Sequence, residues 1–497
     1  MRTINHFIDG QHTIGQSGRY GDVYDPSSGK VQAQVALANS HEVAQAVQCA
    51  KAAQVSWGAT NPQKRARVMF AFKALLEREL DDLARLLSSE HGKTLPDAKG
   101  DIQRGMEVIE FACGIPHLLK GEFTEGAGPR IDMYSLRQPL GVVAGITPFN
   151  FPAMIPMWMF GVAIACGNAF ICKPSEKDPS VPMRLGELLK EAGLPDGIYN
   201  VVNGDKEAVD GLLEHADVKA ISFVGSSAVA EYIYAKGASY GKRVQAMGGA
   251  KNHALIMPDA DLDQVTNDLI GAAYGSAGER CMAISVAVPV TEAVGDALVA
   301  RLKPRVEALK VGPSLDPDMD YGPLISAGHR ANVIGWIEKS VEEGADLVVD
   351  GRGISLQGYE EGFYLGGSLI DQVTPAMASY HTEIFGPVLQ IARATDFEAA
   401  IALPNAHQYG NGTSIYTSSG ALAREFASRV EVGMVGINVP IPVPLAYHSF
   451  GGWKRSAFGD ANQHGTEGVR FFTKVKTVTA RWPVDAGSAD FVIPTMK

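Results

Sequence analysis

Apolar residues recur at helical spacing from Ser40 to Trp57, from about Asn61 to His91, and from Asp97 to Cys113. The first hundred residues therefore read as mainly helical, with amphipathic surface helices. From Gly141 the pattern changes to short β-branched runs at Gly141–Ile146, Ala169–Lys173, Ile198–Val202 and Lys219–Gly225. Helical stretches lie between them, at Ala153–Cys166, about Val181–Ala192 and Asp205–His215, and Gly193 suits a left-handed cap. Such alternation predicts a parallel sheet covered on both faces.

Around Gly248-Gly249-Ala250 the chain turns and a second alternating series begins. It comprises Ala254–Met257, a helix from about Asp261, the strand Ser285–Val290, and runs at Asp346–Val349, Val388–Ala392 and Gly433–Val439. The expected fold class is α/β, with two α/β domains joined near residue 248. Ligands in open α/β sheets sit beyond the carboxyl ends of strands, so the loops after Ile146, Lys173 and Gly225 form the candidate cofactor rim.

One segment imitates a membrane span, because the 35 residues from Gln138 to Cys172 carry no charge. Pro139, Pro148, Pro152 and Pro156, with Gly141, Gly145, Gly161 and Gly167, divide it into pieces suited to buried α/β core. The whole chain has 497 residues, 46% hydrophobic and 20% charged, which fits a globular protein of several domains. A net charge of -11 without any basic block argues against nucleic-acid binding. Five cysteines, an odd number with no CxxC, argue for a reducing compartment, and the N-terminus shows no export signal, so a cytoplasmic location is expected.

Familiar motifs are missing: there is no GxGxxG, GxSxG or HExxH, and no metal site is expected. Gly237–Arg243 falls short of a phosphate loop and reads as a helix end and turn. Among the cysteines, Cys281 stands apart because it follows Gly278-Glu279-Arg280, and an adjacent arginine favours the attacking thiolate. A buried structural cysteine is the bland alternative. Asn150, in Thr147-Pro-Phe-Asn-Phe-Pro152, leaves a buried strand where a side-chain amide can serve a developing oxyanion, although a turn asparagine would look the same. Lys173 and Glu176 leave the next strand three residues apart, placed either to bind ribose hydroxyls or to form a solvated ion pair.

Together these blocks are more specific than apart. Thr147–Pro152, Cys172-Lys-Pro-Ser-Glu176, Phe223-Val-Gly-Ser226 with Gly278–Cys281, and Glu383-Ile-Phe-Gly-Pro387 resemble the aldehyde dehydrogenase superfamily along nearly the whole chain. Within it, Arg137–Gly141, Gly249–His253, Gly278–Ala283 and Phe450–Lys454 look most like the coenzyme A-acylating methylmalonate-semialdehyde dehydrogenase branch. The resemblance implies two Rossmann-like parallel-sheet domains and a small β extension. Residues 1–120 and 142–247 would bind NAD, 248–440 would be catalytic, and 121–141 with 465–497 would mediate a homodimer or homotetramer.

It further implies that Cys281 is the nucleophile and that Asn150 with the Cys281 N–H forms the oxyanion hole. Lys173 and Glu176 would hold the adenine ribose, and Lys177 would lie by the adenosine end. Ser226 would meet the pyrophosphate at a helix N-terminus. Thr147, Phe149 and Gly248 would lie near the nicotinamide, with Glu383 on its ribose and Phe385 beside it. Arg104 and Arg280 are the candidate anchors for a substrate carboxylate, with solvation of Arg104 and pairing of Arg280 with Glu279 as the plain alternatives.

Hydrolytic members carry a glutamate where this chain has Met247. A thioether cannot act as general base, so a Cys281 thioester should resist water and yield to coenzyme A. The expected reaction is NAD-dependent oxidative decarboxylation of methylmalonate semialdehyde, malonate semialdehyde or both. A hydrolytic aldehyde dehydrogenase and a catalytically silent NAD-binding relative remain as alternatives.

Overall fold

The computed structural model describes residues 1–482, so positions 483–497 of the expected oligomerisation element lie outside the described residues. The N-terminal region differs from the expectation of helix. Residues 2–36 form five short strands: Arg2–Ile4, His6–Ile8, Gln11–Thr13, Tyr20–Asp25 and Lys30–Ala36. The first three are three residues long, too short to show a period, whereas Lys30–Ala36 alternates through Val31, Ala33 and Val35, a strand signal that the helical reading passed over. Asp9-Gly10, with φ of +52° and +69°, is nevertheless a hairpin turn signature, and His6–Ile8 pairs antiparallel with Gln11–Thr13 across it.

Four long helices follow. Ser40–Ala59 opens on Asn39, whose side chain accepts from His41 and Glu42 N–H while Glu42 returns the bond in a capping box. The apolar run expected as one helix to His91 breaks at Glu79 into Pro62–Arg78 and Leu80–His91. Leu95–Cys113 then packs along the buried helix Met154–Ala165. That last helix is buried at every position, as an all-apolar helix must be in a globular core. Among the described residues no helix is long and apolar enough to cross a membrane.

The larger sheet has eight strands in the order Ala457–Phe458, Arg243–Met247, Val218–Val224, Val142–Ile146, Ala169–Lys173, Tyr199–Val201, His6–Ile8, Gln11–Thr13. Its five central strands are parallel, with antiparallel pairs at both edges. Chain order reverses at Val142–Ile146, since later strands add first on one side and then on the other. The loops leaving Ile146 and Val224 flank that reversal, the crevice where α/β sheets take ligands.

The chain leaves this sheet after Met247 and enters a seven-stranded one at Asn252–Ile256. The second sheet is parallel except for its edge strand Asp346–Val349. Each sheet has its own hydrophobic cluster. A separate antiparallel sheet joins Phe123–Gly128, Ile131–Pro139 and Thr473–Arg481, with Thr473 opposite Pro139 and Arg481 opposite Ile131. The fold is therefore mixed α/β, with two parallel-sheet, Rossmann-like layers.

Candidate active site between the two sheets

Cys281 lies at the meeting point of four cavities, whereas Cys113, Cys166 and Cys172 are buried in the core. A strained turn presents it: Ser276, Ala277 and Gly278 have φ of +54°, +53° and +73° in succession. Two non-glycine residues in the left-handed region cost energy that the surroundings must hold in place. At Gly278 a Cβ would come within 2.0 Å of the Gly386 carbonyl, so only glycine fits there. Beyond the turn the Cys281 carbonyl accepts from Asn252 Nδ2 at 2.9 Å and from Asn411 Nδ2 at 3.2 Å. These two asparagines fix the Cys281 backbone, and the sequence reading missed both. Asn252 sits in Gly249-Ala-Lys-Asn, but only the strand pairing brings Asn411 beside it.

The expectation that Arg280 makes Cys281 a ready thiolate needs correction. Burial and the nearby Glu383 carboxyl push the thiol up to about 11, and Arg280 opposes them only weakly. Arg280 instead donates to Asp97 Oδ1 at 2.6 Å, rather than pairing with Glu279. Arg104 is also no solvated residue: it donates to Glu107 Oε2 at 2.7 Å and to the Pro444 carbonyl at 2.9 Å. Both arginines line a cavity of about 420 Å³ with Cys281, Phe151, Trp158 and Met282.

Asn150 is buried, and its Nδ2 donates to the Glu279 carbonyl at 3.0 Å. One amide hydrogen is thus spent on orientation and the other remains for a ligand. The Glu279 carboxyl is fully buried, with Oε1 accepting from Ile325 N–H at 3.2 Å. Its other oxygen has no partner, lies 3.9 Å from His91 Nε2, and burial pushes the group up to about 8. At neutral pH it is mainly the neutral acid.

On the opposite side, a cavity of about 250 Å³ is lined by Phe149, Asn150, Ser226, Gly248, Cys281, Glu383 and Phe385. Seven of the expected site residues, distant in sequence, therefore share one wall. Phe149 stands edge-on to Phe385 with ring centroids 5.9 Å apart, and Lys177 Nζ lies 5.0 Å from the Phe149 ring. Thr147 and Lys173 sit on adjoining strand ends, where Thr147 N–H donates to the Lys173 carbonyl at 3.1 Å. Lys173 is buried and reaches Glu176 at 3.4 Å.

Several features of this wall suit a dinucleotide. Ser226 opens the Ser227–Ser239 helix without a side-chain cap, which leaves first-turn N–H groups for an anion. Gly248 and Gly249 keep the floor bare, because a Cβ on Gly249 would come within 2.3 Å of Glu383 Oε2. Glu383 accepts from Ala250 N–H at 2.8 Å, and burial pushes it up to about 7. A third, small cavity of about 40 Å³ places Met247 beside Cys281 with Trp158, Met282, Asn411 and Phe450, and holds no carboxylate.

Comparison with known proteins agrees with this geometry. The aldehyde dehydrogenase family model matches residues 13–478. The chain is 56% identical to a malonate-semialdehyde dehydrogenase of Pseudomonas aeruginosa, covering all of both chains. A crystal structure from Sinorhizobium meliloti, assigned provisionally as a methylmalonate-semialdehyde dehydrogenase and complexed with NAD, superposes with a TM-score of 0.97. It is 61% identical over 98% of this chain and 99% of that one. A methylmalonate-semialdehyde dehydrogenase of Oceanimonas doudoroffii gives a TM-score of 0.96 at 56% identity, over 98% and 99%. The chain belongs to the aldehyde dehydrogenase family.

Proposed function

We propose that the protein oxidises malonate semialdehyde, methylmalonate semialdehyde or both with NAD, releasing CO2 and an acyl-coenzyme A. The observation that carries this reading is Met247 beside Cys281, in a cavity without a carboxylate. Similarity to enzymes named for both semialdehydes supports the substrate class.

NAD, when bound, supplies the hydride acceptor. Its binding would fall to Ser226 at the helix N-terminus, Lys173 and Glu176 at the strand end, Glu383 on a ribose, and Thr147, Phe149, Lys177, Gly248 and Phe385 around them. Cys281 gives up its thiol proton to solvent, its thiolate Sγ bonds to the aldehyde carbon, and the oxyanion is held by the free Asn150 amide hydrogen and the Cys281 N–H. Loss of hydride leaves a thioester on Cys281. The substrate carboxylate, held by Arg280 and near Arg104, then leaves as CO2, and the same donors stabilise the enolate until it takes a proton. Met247 offers no base to activate water. The thiolate of coenzyme A displaces Cys281, giving acetyl-coenzyme A or propionyl-coenzyme A.

The domain plan that accompanies this reading assigns 1–120 and 142–247 to NAD, 248–440 to catalysis, and 121–141 with 465–497 to assembly in the cytoplasm. Exposed Phe123, Leu136, Val475 and Trp482 on or beside the three-stranded sheet support a homodimer or homotetramer. Glu383 favours a second reading, hydrolysis, because its carboxyl lines a cavity with Cys281. NADH formation assayed with and without coenzyme A separates the two.

A further inference from the structure

The corner between the helices Leu80–His91 and Leu95–Cys113 carries a buried ion pair outside the expected site residues. Lys93 Nζ and Asp101 Oδ2 lie 3.6 Å apart, and both side chains are fully buried. Each also grips one end of the segment that contains Asn150. Lys93 Nζ donates to the Asn150 carbonyl at 2.7 Å, and Asp101 Oδ1 accepts from Met154 N–H at 2.7 Å. Between these ends the Lys93 ammonium lies 4.1 Å from the Phe151 ring centroid.

The helix Met154–Ala165 begins at Ala153 with no side-chain cap, so Asp101 supplies from another helix what a local cap would have given. Burial pushes the Asp101 carboxyl above the usual carboxylate range, and the Lys93 ammonium opposes the shift. A buried lysine is costly unless its charge has a task or a partner. Here the partner alone would explain a core ion pair, but not its bonds to both ends of one catalytic loop. Phe149, Asn150 and Phe151 line the two main cavities on either side of Cys281. A shift at the Lys93-held end of this loop would therefore displace the oxyanion donor, Asn150.

The geometry points to Lys93 and Asp101 as positioning residues that hold the Asn150 amide against the oxyanion formed at Cys281. Lys93 fixes the Asn150 backbone, the Glu279 carbonyl fixes its side chain, and Asp101 fixes the far end of the loop. This rests on the assignment of Asn150 as oxyanion donor.

The test compares Lys93→Met, Asp101→Asn, Asn150→Ala and the Lys93→Met/Asn150→Ala double variant. Lys93→Met is expected to lower kcat about 10- to 100-fold, the scale of a small misplacement. KM, the NAD dissociation constant and the rate of Cys281 alkylation by iodoacetamide, which needs no oxyanion hole, should stay within about threefold. Asp101→Asn keeps an acceptor for Met154 N–H and should show a smaller loss of the same kind. In the Asn150→Ala background, Lys93→Met should cost nothing more, because it acts through Asn150. Equal losses in kcat, NAD affinity and alkylation, or additive losses in the double variant, would overturn the clamp. So would unchanged kcat in Lys93→Met beside a large loss in Asn150→Ala. If Lys93→Met does not fold, Asp101→Asn decides by the same criteria. Unchanged kcat in Asn150→Ala alone would instead remove the oxyanion assignment, and the clamp with it.

Discussion

The two main cavities that meet at Cys281 are built differently. The one with Glu383 is floored by main chain at Gly248 and Gly249 and closed by a helix N-terminus at Ser226. The one with Arg280 is walled by side chains from the Leu95–Cys113 helix, the Met154–Ala165 helix and the segment around Ile441 and Val443. On the proposed reading the first would take its ligand largely with backbone at Ser226, Gly248 and Gly249, which short local patterns can encode. On the same reading the second would take its ligand with side chains gathered from distant elements, so single substitutions should change its selectivity. Between them lies a small third space lined by both Met247 and Cys281 and by no carboxylate.

The largest expected effect removes what both cavities share. Cys281→Ala should lower turnover by at least ~10⁴-fold while NAD still binds, as measured by fluorescence titration. Retained activity would take Cys281 out of its role. On the side-chain-built cavity, Arg280→Leu should raise KM for malonate semialdehyde about 10- to 100-fold, the worth of a charge-assisted hydrogen bond. KM for propanal should barely change. Arg104→Leu should give a smaller rise of the same sign, since Glu107 and Pro444 already take two of its nitrogens. Equal effects on the charged and uncharged aldehydes would refute the anchor role for either arginine.

In the third cavity, Met247→Glu should introduce the missing base and raise coenzyme A-independent release of free acid by ~10-fold or more. No gain in acid would mean that the absent carboxylate does not set the acyl acceptor.

The smallest effect concerns stability at the wall shared by Asn150 and Cys281. Glu279 has its folded pKa raised from 4.5 to about 8, so its contribution is full below about 4.5 and is lost as pH rises through 8. Glu279→Gln keeps the neutral acid's shape and removes that loss. Its Tm relative to the native protein should climb by about 1–3 °C between about pH 5 and about pH 9. Parallel Tm curves would show that Glu279 does not titrate in the fold.

The same contrast explains what was legible in the sequence. The sheet alternation from Gly141 onward, the chain's crossing near Gly248 and the grouping of seven predicted residues on one cavity wall all rest on local signals. A strand followed by Gly-Ser and a helix, or by Lys-Pro-Ser-Glu, carries its meaning in a few residues. Among the N-terminal strands, those three residues long bury too little to leave a period and only Asp9-Gly10 announced their hairpin, whereas the alternation of Val31, Ala33 and Val35 in Lys30–Ala36 was legible and was passed over. Asn411, Asp97, Lys93 and Asp101 were invisible for another reason. Each is an ordinary polar residue until the fold brings it to Cys281, Arg280 or Asn150. The thiol's resistance to ionisation was likewise unreadable, since a neighbour in sequence, Arg280, points to Asp97 and leaves burial and Glu383 to set the balance.

The central claim is that the acyl group on Cys281 waits for a thiol. The most direct measurement follows NADH formation from malonate semialdehyde with and without coenzyme A, with the products identified by mass spectrometry. Sustained turnover only in the presence of coenzyme A, yielding acetyl-coenzyme A and CO2, is the predicted result. The same rate in its absence, with a free carboxylic acid as the main product, would contradict it.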